Sequence, residues 1–367
     1  MVFSNKTGVG YYVTNLYHAL REYGADVIPT NGKTAGSLID VLGKISTRVK
    51  RSIGVDHSSF FRMLGDNLAA LVLRKGTPGD GYDLYHETTF GPLRETRQRF
   101  VCNIYDLSFI RFPNYFTKGF AEESKRNVSK NASVAERVIV NSRFIKDEAI
   151  SLLGLPEEKI DIIPMAASAV YYSIKKPAER PREVRNFTDK EYILFVGTVE
   201  PRKNLKILIR AFKEVRTRYD LSLVMCGGLG SLSSEIISYA KEMNVEKDVI
   251  FTNYVQELTL LYLYNFASVF VYPSIYEGFG IPPLEAMACR TPVIISDIPP
   301  LREVAGDAAL TFNPNDHEEL TFAIDRALSS ESLRAELSQK GRRKADQYSW
   351  EKVAAETVKT YQKALAN

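Results

Sequence analysis

The sequence predicts an α/β protein built from two doubly wound domains, each a parallel sheet covered by helices. Its 367 residues, 45% of them apolar, suffice for two cores at about 100–200 residues per domain. In the second half, short β-branched runs alternate with amphipathic stretches, the pattern of right-handed βαβ crossovers around a buried parallel sheet. Between the halves, residues 174–190 (IKKPAERPREVRNFTDK) are rich in charge and proline and have little to bury, as a linker does. The expected division is a first domain over 1–173, the linker 174–190, a second domain over 191–348 and a final helix over 349–367.

In chain order, Thr7-Gly8-Val9-Gly10 reads as a loop, with a helix following over 12–23. Met1-Val-Phe is too short for the buried strand that should precede such a loop. The expectation is that Met1 is internal and that roughly ten upstream residues complete a strand, since strands run about 5–6 residues. Residues 30 to 80 show no clear strand and read as basic and helical. There Leu38, Ile39, Leu42, Ile45, Val49 and Ile53 fall at helical spacing among Lys44, Arg48, Lys50 and Arg51, ahead of Phe60-Phe61-Arg62-Met63-Leu64. Such a face suits an anionic membrane surface, or equally packing on the domain with its basic side in water. Further strands are expected at 82–86, 100–105, 138–140 and 160–163. In the second domain strands are expected at 192–197, 221–227, 249–254, 268–272, 292–296 and 308–312. The helices between and after them are expected at 205–218, 234–243, 258–266, 283–289 and 318–328.

Composition excludes several classes. A formal charge of +4 and 11% aromatic residues do not describe a disordered chain. No apolar run approaches the roughly 20 residues of a membrane helix, and the start does not resemble a signal peptide. Cys102, Cys226 and Cys289 are scattered and odd in number, as expected of reduced core thiols in a cytoplasmic protein. Four histidines without paired spacing predict no structural metal. Through Lys175 the chain carries 23 Lys and Arg against 18 Asp and Glu, and the remainder 25 against 26. The basic excess therefore lies in the first half, on the side of the amphipathic stretch. No aromatic-basic motif points to nucleic acid, which is not an expected partner.

The densest chemical signal is Tyr272-Pro-Ser-Ile-Tyr-Glu277-Gly278-Phe279-Gly280-Ile281-Pro-Pro-Leu-Glu285. A strand ends at Tyr272, glycines follow, and Pro282 and Pro283 take first-turn helical positions where a missing N–H costs nothing. Backbone N–H groups and the positive end of the helix dipole then converge on one point, suited to a pyrophosphate. Glu285 can reach a sugar diol, and Glu277 lies on the loop. A capping carboxylate with a tight turn would explain a lone Glu-Gly, but not this ordered set of glutamates, glycines and prolines.

This block resembles the E-x7-E signature of retaining glycosyltransferases of family 4, which have the GT-B fold: two Rossmann-like domains facing a cleft, with a C-terminal helix crossing back to the first. Further resemblances lie in Thr7-Gly8-Val9-Gly10-Tyr11 (the N-terminal glycine loop), Tyr105-Asp106-Leu107-Ser108 (an "HDLS" turn) and Val140-Asn-Ser142. Phe195-Val-Gly197-Thr198-Val-Glu-Pro-Arg202-Lys203-Asn204 resembles the donor phosphate loop, and Ser349-Trp350-Glu351 the start of the crossover helix.

The resemblance implies an acceptor-binding first domain and a nucleotide-sugar-binding second domain, with the nucleotide sugar as co-substrate and no other cofactor. Lys203 would meet the donor pyrophosphate and Arg202 would clamp the same oxygens. Glu285 would bind the ribose and Glu277 the donor sugar near its reacting carbon. Gly278, Phe279, Gly280 and Ile281 would offer backbone groups, with Gly8 and Gly10 also on the donor. The base would lie near Tyr254, Val255 and Leu258, for which core packing is the equal alternative. Tyr11 and His86 fall on the acceptor side, although a lone histidine is as readily structural.

Two departures stand out. Thr198 occupies the place of an arginine often found before the phosphate lysine, which leaves that role to Arg202. Tyr105 replaces the "HD" histidine and cannot act as a base near neutral pH. Asp106 beside it is either a carboxylate in the cleft or a helix cap. No DxD pair is present, so metal-independent chemistry is expected, with cations and a helix dipole stabilising the leaving group.

Retention by front-face attack through an oxocarbenium-like state would let the leaving phosphate take the acceptor's proton. The implied reaction transfers a hexose, GDP-mannose being the first choice of donor, to a glycan or lipid-linked acceptor of surface polysaccharide. It would run in the cytoplasm, with the basic helix as a contact to the inner membrane face. A GT-B nucleotide-sugar epimerase and a non-catalytic partner subunit are the alternatives. A dinucleotide oxidoreductase is excluded because Gly8-Val9-Gly10 lacks a third glycine at Val13.

Overall fold

The computed structural model describes residues 8–30, 70–73, 83–92, 98–174 and 180–366. The expected opening strand, the amphipathic stretch 38–53, the run 60–64 and the middle of the linker lie outside the described residues. The chain divides into two compact units. One comprises Met1–Leu107, Gly119–Met165 and Trp350–Asn367, and the other Ser108–Lys118 and Ala166–Ser349.

The first unit holds six strands in the order β1-β2-β3-β4-β5-β6. These are β1 (Val27–Thr30), β2 (Ala70–Leu73), β3 (Leu84–Glu87), β4 (Arg99–Ile104), β5 (Arg137–Val140) and β6 (Ile160–Ile162). From β3 to β6 the pairing is parallel, and those four lie within two residues of expectation. Two antiparallel strands, β1 and β2, extend the sheet, and β2 corrects the reading that 30–80 holds no clear strand. Pro29 lies in β1, an edge strand, the position in a sheet to which proline is largely confined.

The first helix, Gly8–Glu22, begins four residues earlier than expected. Ser142 caps the helix Arg143–Leu153 by accepting from Ile145 N, and Gly154 closes it in the left-handed conformation. The final helix, Trp350–Ala366, belongs to this unit. Trp350 packs 5.7 Å from the Tyr12 ring, while Thr360 and Lys363 reach Asp161 at 3.0 and 2.6 Å.

The second unit is a six-stranded parallel sheet in the order β12-β11-β10-β7-β8-β9. Its strands are β7 (Glu191–Val196), β8 (Leu221–Cys226), β9 (Val249–Asn253), β10 (Val269–Tyr272), β11 (Val293–Ser296) and β12 (Leu310–Phe312). The chain starts at the centre with β7, builds outward to β9, then crosses to β10 on the other side of β7. The switch point between β7 and β10 leaves a crevice at their carboxyl ends, where ligands of such sheets bind. Residues 192–196 are buried along β7 because helices cover both faces. All three cysteines are free and buried.

Candidate active site

Two loops meet at the switch point. After β7 the chain runs on beside the loop after β8, with Gly197 N donating to Cys226 O at 2.9 Å and Val199 N to Gly228 O at 2.9 Å. A Cβ at Gly227 would stand 2.1 Å from Gly197 O, so only glycine allows this approach. The turn Pro201–Lys203 follows, and Asn204 at φ 55° swings the chain into the helix Leu205–Val215.

The loop after β10 is hung on this turn. Ile275 N donates to Arg202 O at 3.0 Å, and the Arg202 guanidinium donates to Tyr276 O at 3.0 Å. The loop ends at Gly280, whose φ of 116° and whose 2.6 Å clearance from Leu301 Cδ2 for an added Cβ both require glycine. The helix Ile281–Ala288 then starts with prolines in its first turn. They remove two of the N–H groups that a helix end normally presents. Gly278, Phe279, Gly280 and Ile281 keep theirs. The Phe279 ring is buried against Tyr348 at 5.8 Å, so only its backbone is offered.

Charge is concentrated where the loops touch. Lys203 and Glu277 are both buried and pair at 2.5 Å. Lys203 also donates to Tyr272 Oη at 2.8 Å and lies 4.9 Å from that ring's centre. Arg202 reaches Glu277 at 3.3 Å and Glu200 at 2.7 Å. Burial works to raise the Glu277 pKa, but Lys203 and then Arg202 overcome it and hold the carboxyl at about 2. Burial, with Arg202 beside it, lowers the Lys203 pKa. Two cations and two carboxylates therefore balance. The fork of Arg202 is engaged by Glu200, Tyr276 and Glu277, which makes it a bracket for the loop.

Glu285 lies in the helix Ile281–Ala288, buried, and accepts a hydrogen bond from Tyr264 Oη at 2.8 Å. Burial raises its pKa to about 7, against the smaller lowering effect of Tyr264. Tyr254 and Leu258 are 51% and 55% exposed, which rules out the core-packing alternative for them. Val255 between them is half-buried and Thr198 is exposed. Leu229 and Leu232, in the loop after β8, are likewise exposed. Sequence reasoning missed both, together with Tyr264, Tyr272 and Glu200; the Gly227-Gly228-Leu229-Gly230 run was the available signal for the β8 loop.

In the first unit one expectation needs correction, and the structure places the other candidate residues. Gly8 and Gly10 do not form a loop: they open the helix Gly8–Glu22, where Gly10 O accepts from Thr14 Oγ1 at 2.9 Å. Tyr11, half-buried, stands in the same helix, its carbonyl accepting from Asn15 at 2.9 Å. His86 is fully buried, with Nδ1 2.8 Å from Tyr361 Oη and Nε2 2.5 Å from Asn103 Oδ1. Burial pushes its pKa down to about 4, so it is a neutral tie between β3, β4 and the final helix. Both ring nitrogens are thus engaged within the protein. Tyr105 is buried and donates to Thr88 O at 2.9 Å, with its ring 5.2 Å from Tyr12. Burial raises its pKa well above 10. Asp106 next to it is half-buried. Among the described residues no group of three or more His, Cys, Asp or Glu is placed to hold a metal ion, and no helix is long and apolar enough to cross a membrane.

Comparison with known proteins decides the family. Residues 6–167 match the model of Glycosyltransferase Family 4 and residues 177–344 that of Glycosyl transferases group 1. O-antigen chain mannosyltransferase B of Escherichia coli is 33% identical over 285 residues, covering 76% of this chain and 74% of its own. The chain belongs to the family 4 glycosyltransferases. O-antigen chain mannosyltransferase RfbU of Salmonella typhimurium is 33% identical over 214 residues, 58% of this chain and 57% of that protein. Among solved structures, Anabaena HepE in complex with UDP and glucose matches with a TM-score of 0.68 at 15% identity, over 99% of this chain and 98% of that one. The glycosyltransferase has the GT-B fold.

Proposed function

We propose that this glycosyltransferase is a retaining mannosyltransferase that takes mannose from GDP-mannose and passes it to a glycan or lipid-linked glycan during O-antigen assembly. The observation that carries the reading is the buried Lys203–Glu277–Arg202 cluster. It abuts the Gly278–Phe279–Gly280–Ile281 backbone at the sheet's switch point. In this reading Lys203 meets the pyrophosphate, and the backbone N–H groups with the helix dipole take up its remaining charge. Glu285, once ionised, accepts from the ribose diol. The base lies against Tyr254, Val255 and Leu258, with Leu229 and Leu232 as its further apolar cover. Glu277, held ionised by its two cations, faces the anomeric carbon and stabilises the positive charge that develops there. The two O-antigen mannosyltransferases point to mannose, and HepE with UDP and glucose supports a nucleotide sugar as the donor class.

The bond from the anomeric carbon to the diphosphate oxygen breaks with its electron pair going to that oxygen. The acceptor hydroxyl attacks the same face, and its proton passes to the departing diphosphate. No protein base is required, in keeping with the tyrosine at 105. Because nucleotide sugars are made in the cytoplasm, the reaction would run there, at the inner membrane face when the acceptor is lipid-linked. The test is incubation with GDP-mannose, UDP-hexoses and dTDP-hexoses, with and without an O-antigen lipid acceptor. The reading expects GDP release from GDP-mannose and an α-linked product. Turnover of another nucleotide sugar alone, or epimerisation without transfer, would replace it.

A further inference from the structure

The segment Ser108–Lys118 belongs to the second unit, although the chain on both sides of it belongs to the first. It folds as a short helix, Ser108–Arg111, and a 3₁₀ turn, Pro113–Tyr115. The turn lays the Phe112 ring edge-on against Tyr276, with centroids 5.6 Å apart at 69°. Tyr115 stacks on Phe112 at 5.6 Å and 8°. Tyr276 is buried, precedes Glu277, and has its carbonyl held by Arg202. Phe112 and Tyr115 are half-buried, and Asn114 and Lys118 are exposed beside them. Three rings therefore form a ladder from the buried residue next to Glu277 to two half-buried rings with exposed polar neighbours.

We propose that Phe112 and Tyr115 are an acceptor-sugar subsite: the outer aromatic face stacks on the C–H face of a pyranose ring of the glycan, and Asn114 hydrogen-bonds its hydroxyls. A pyranose has one apolar face of C–H groups and a rim of hydroxyls, which matches an aromatic plate bordered by an amide. The rings of the ladder are also fixed against one another, so little ordering is lost when a sugar docks. The plate is rooted on the loop that carries Glu277, which would set the acceptor in register with the reacting carbon. This inference rests on the glycosyltransferase reading but not on the identity of the donor.

The test is saturation-transfer NMR of the full chain with α-mannotriose as probe, run beside GDP-mannose binding by calorimetry on the same samples. Tyr115→Ala should weaken trisaccharide binding about tenfold, the scale of one aromatic contact, and leave GDP-mannose binding unchanged. Tyr115→Phe should retain trisaccharide binding, and Asn114→Ala should weaken it severalfold. Absence of trisaccharide binding by the wild type, or equal binding by wild type and Tyr115→Ala, would overturn the subsite. Loss of GDP-mannose binding in the wild type alongside intact trisaccharide binding would instead overturn only the donor reading.

Discussion

Replacing Glu285 with Gln should stabilise the protein at neutral pH while it removes donor binding. Burial raises the carboxyl from the usual 4.5 to about 7, because the ionised form loses hydration that one hydrogen bond from Tyr264 does not replace. In the unfolded chain the same group ionises near 4.5. The folded state thus holds the proton more tightly, and its advantage is complete below pH 4.5 and lost as pH rises through about 7. At 1.36 kcal/mol per pH unit, ionising Glu285 in the fold costs about 3 kcal/mol by pH 8. Gln keeps the hydrogen bond from Tyr264 and has no such cost. Urea unfolding followed by circular dichroism should therefore show a stability gap in favour of the variant that opens from near zero at pH 4.5 to about 3 kcal/mol at pH 8. Donor binding runs the other way. The ribose diol needs two acceptor oxygens, so wild-type affinity should rise about tenfold per pH unit up to about 7 and then level, while the variant stays weak throughout. Parallel stability curves for the two proteins, or pH-independent donor affinity in the wild type, would refute the reasoning.

Lys203→Ala should lower donor affinity by the worth of a charged hydrogen bond, about 1.5–3 kcal/mol, and destabilise the fold by about 3–5 kcal/mol, because Glu277 is left buried with one cation fewer. Titration calorimetry and urea unfolding check the two halves; pairing it with Glu277→Gln should recover stability but not donor binding. Activity should survive EDTA, since the leaving diphosphate is met by Lys203 and the start of the helix Ile281–Ala288; activity lost with EDTA and restored by Mg²⁺ or Mn²⁺ would contradict this. His86→Ala should cost about 2–4 kcal/mol of stability, as a buried side chain that ties two strands to the final helix is lost, yet leave GDP-mannose affinity unchanged in calorimetry.

The second unit was the more legible because a strand buried on both faces reads as an unbroken apolar run. Residues 192–196 and 269–272 are of this kind, and every strand there lies within two residues of expectation. The helices Pro299–Ala305 and Glu331–Ala345 were not legible. One opens on two prolines that resemble a break, and the other buries only Leu337, Gly341 and Ala345 along fifteen residues. In the first unit β1 and β2 are four-residue antiparallel strands, too short for a period to emerge. At the site, the spacing of Glu277 and Glu285 and the Arg202-Lys203 pair could be read directly, because glycines and prolines bracket them. Tyr264 and Tyr272 could not, since a tyrosine at the end of an apolar run looks like core until its hydroxyl is seen on a carboxylate or an ammonium. His86 and Tyr105 were ambiguous for the opposite reason. Both stand at strand ends, where function concentrates, but their polar atoms are satisfied inside the unit.

The most direct measurement of the central claim is NMR of purified protein with GDP-mannose and an O-antigen lipid acceptor, following nucleotide release and the anomeric configuration of the new bond. The proposed function predicts GDP as the released nucleotide, an α-mannosyl product, and loss of both when Lys203 is replaced by Ala. A β-linked product, or transfer that is undiminished in the Lys203 variant, would contradict it.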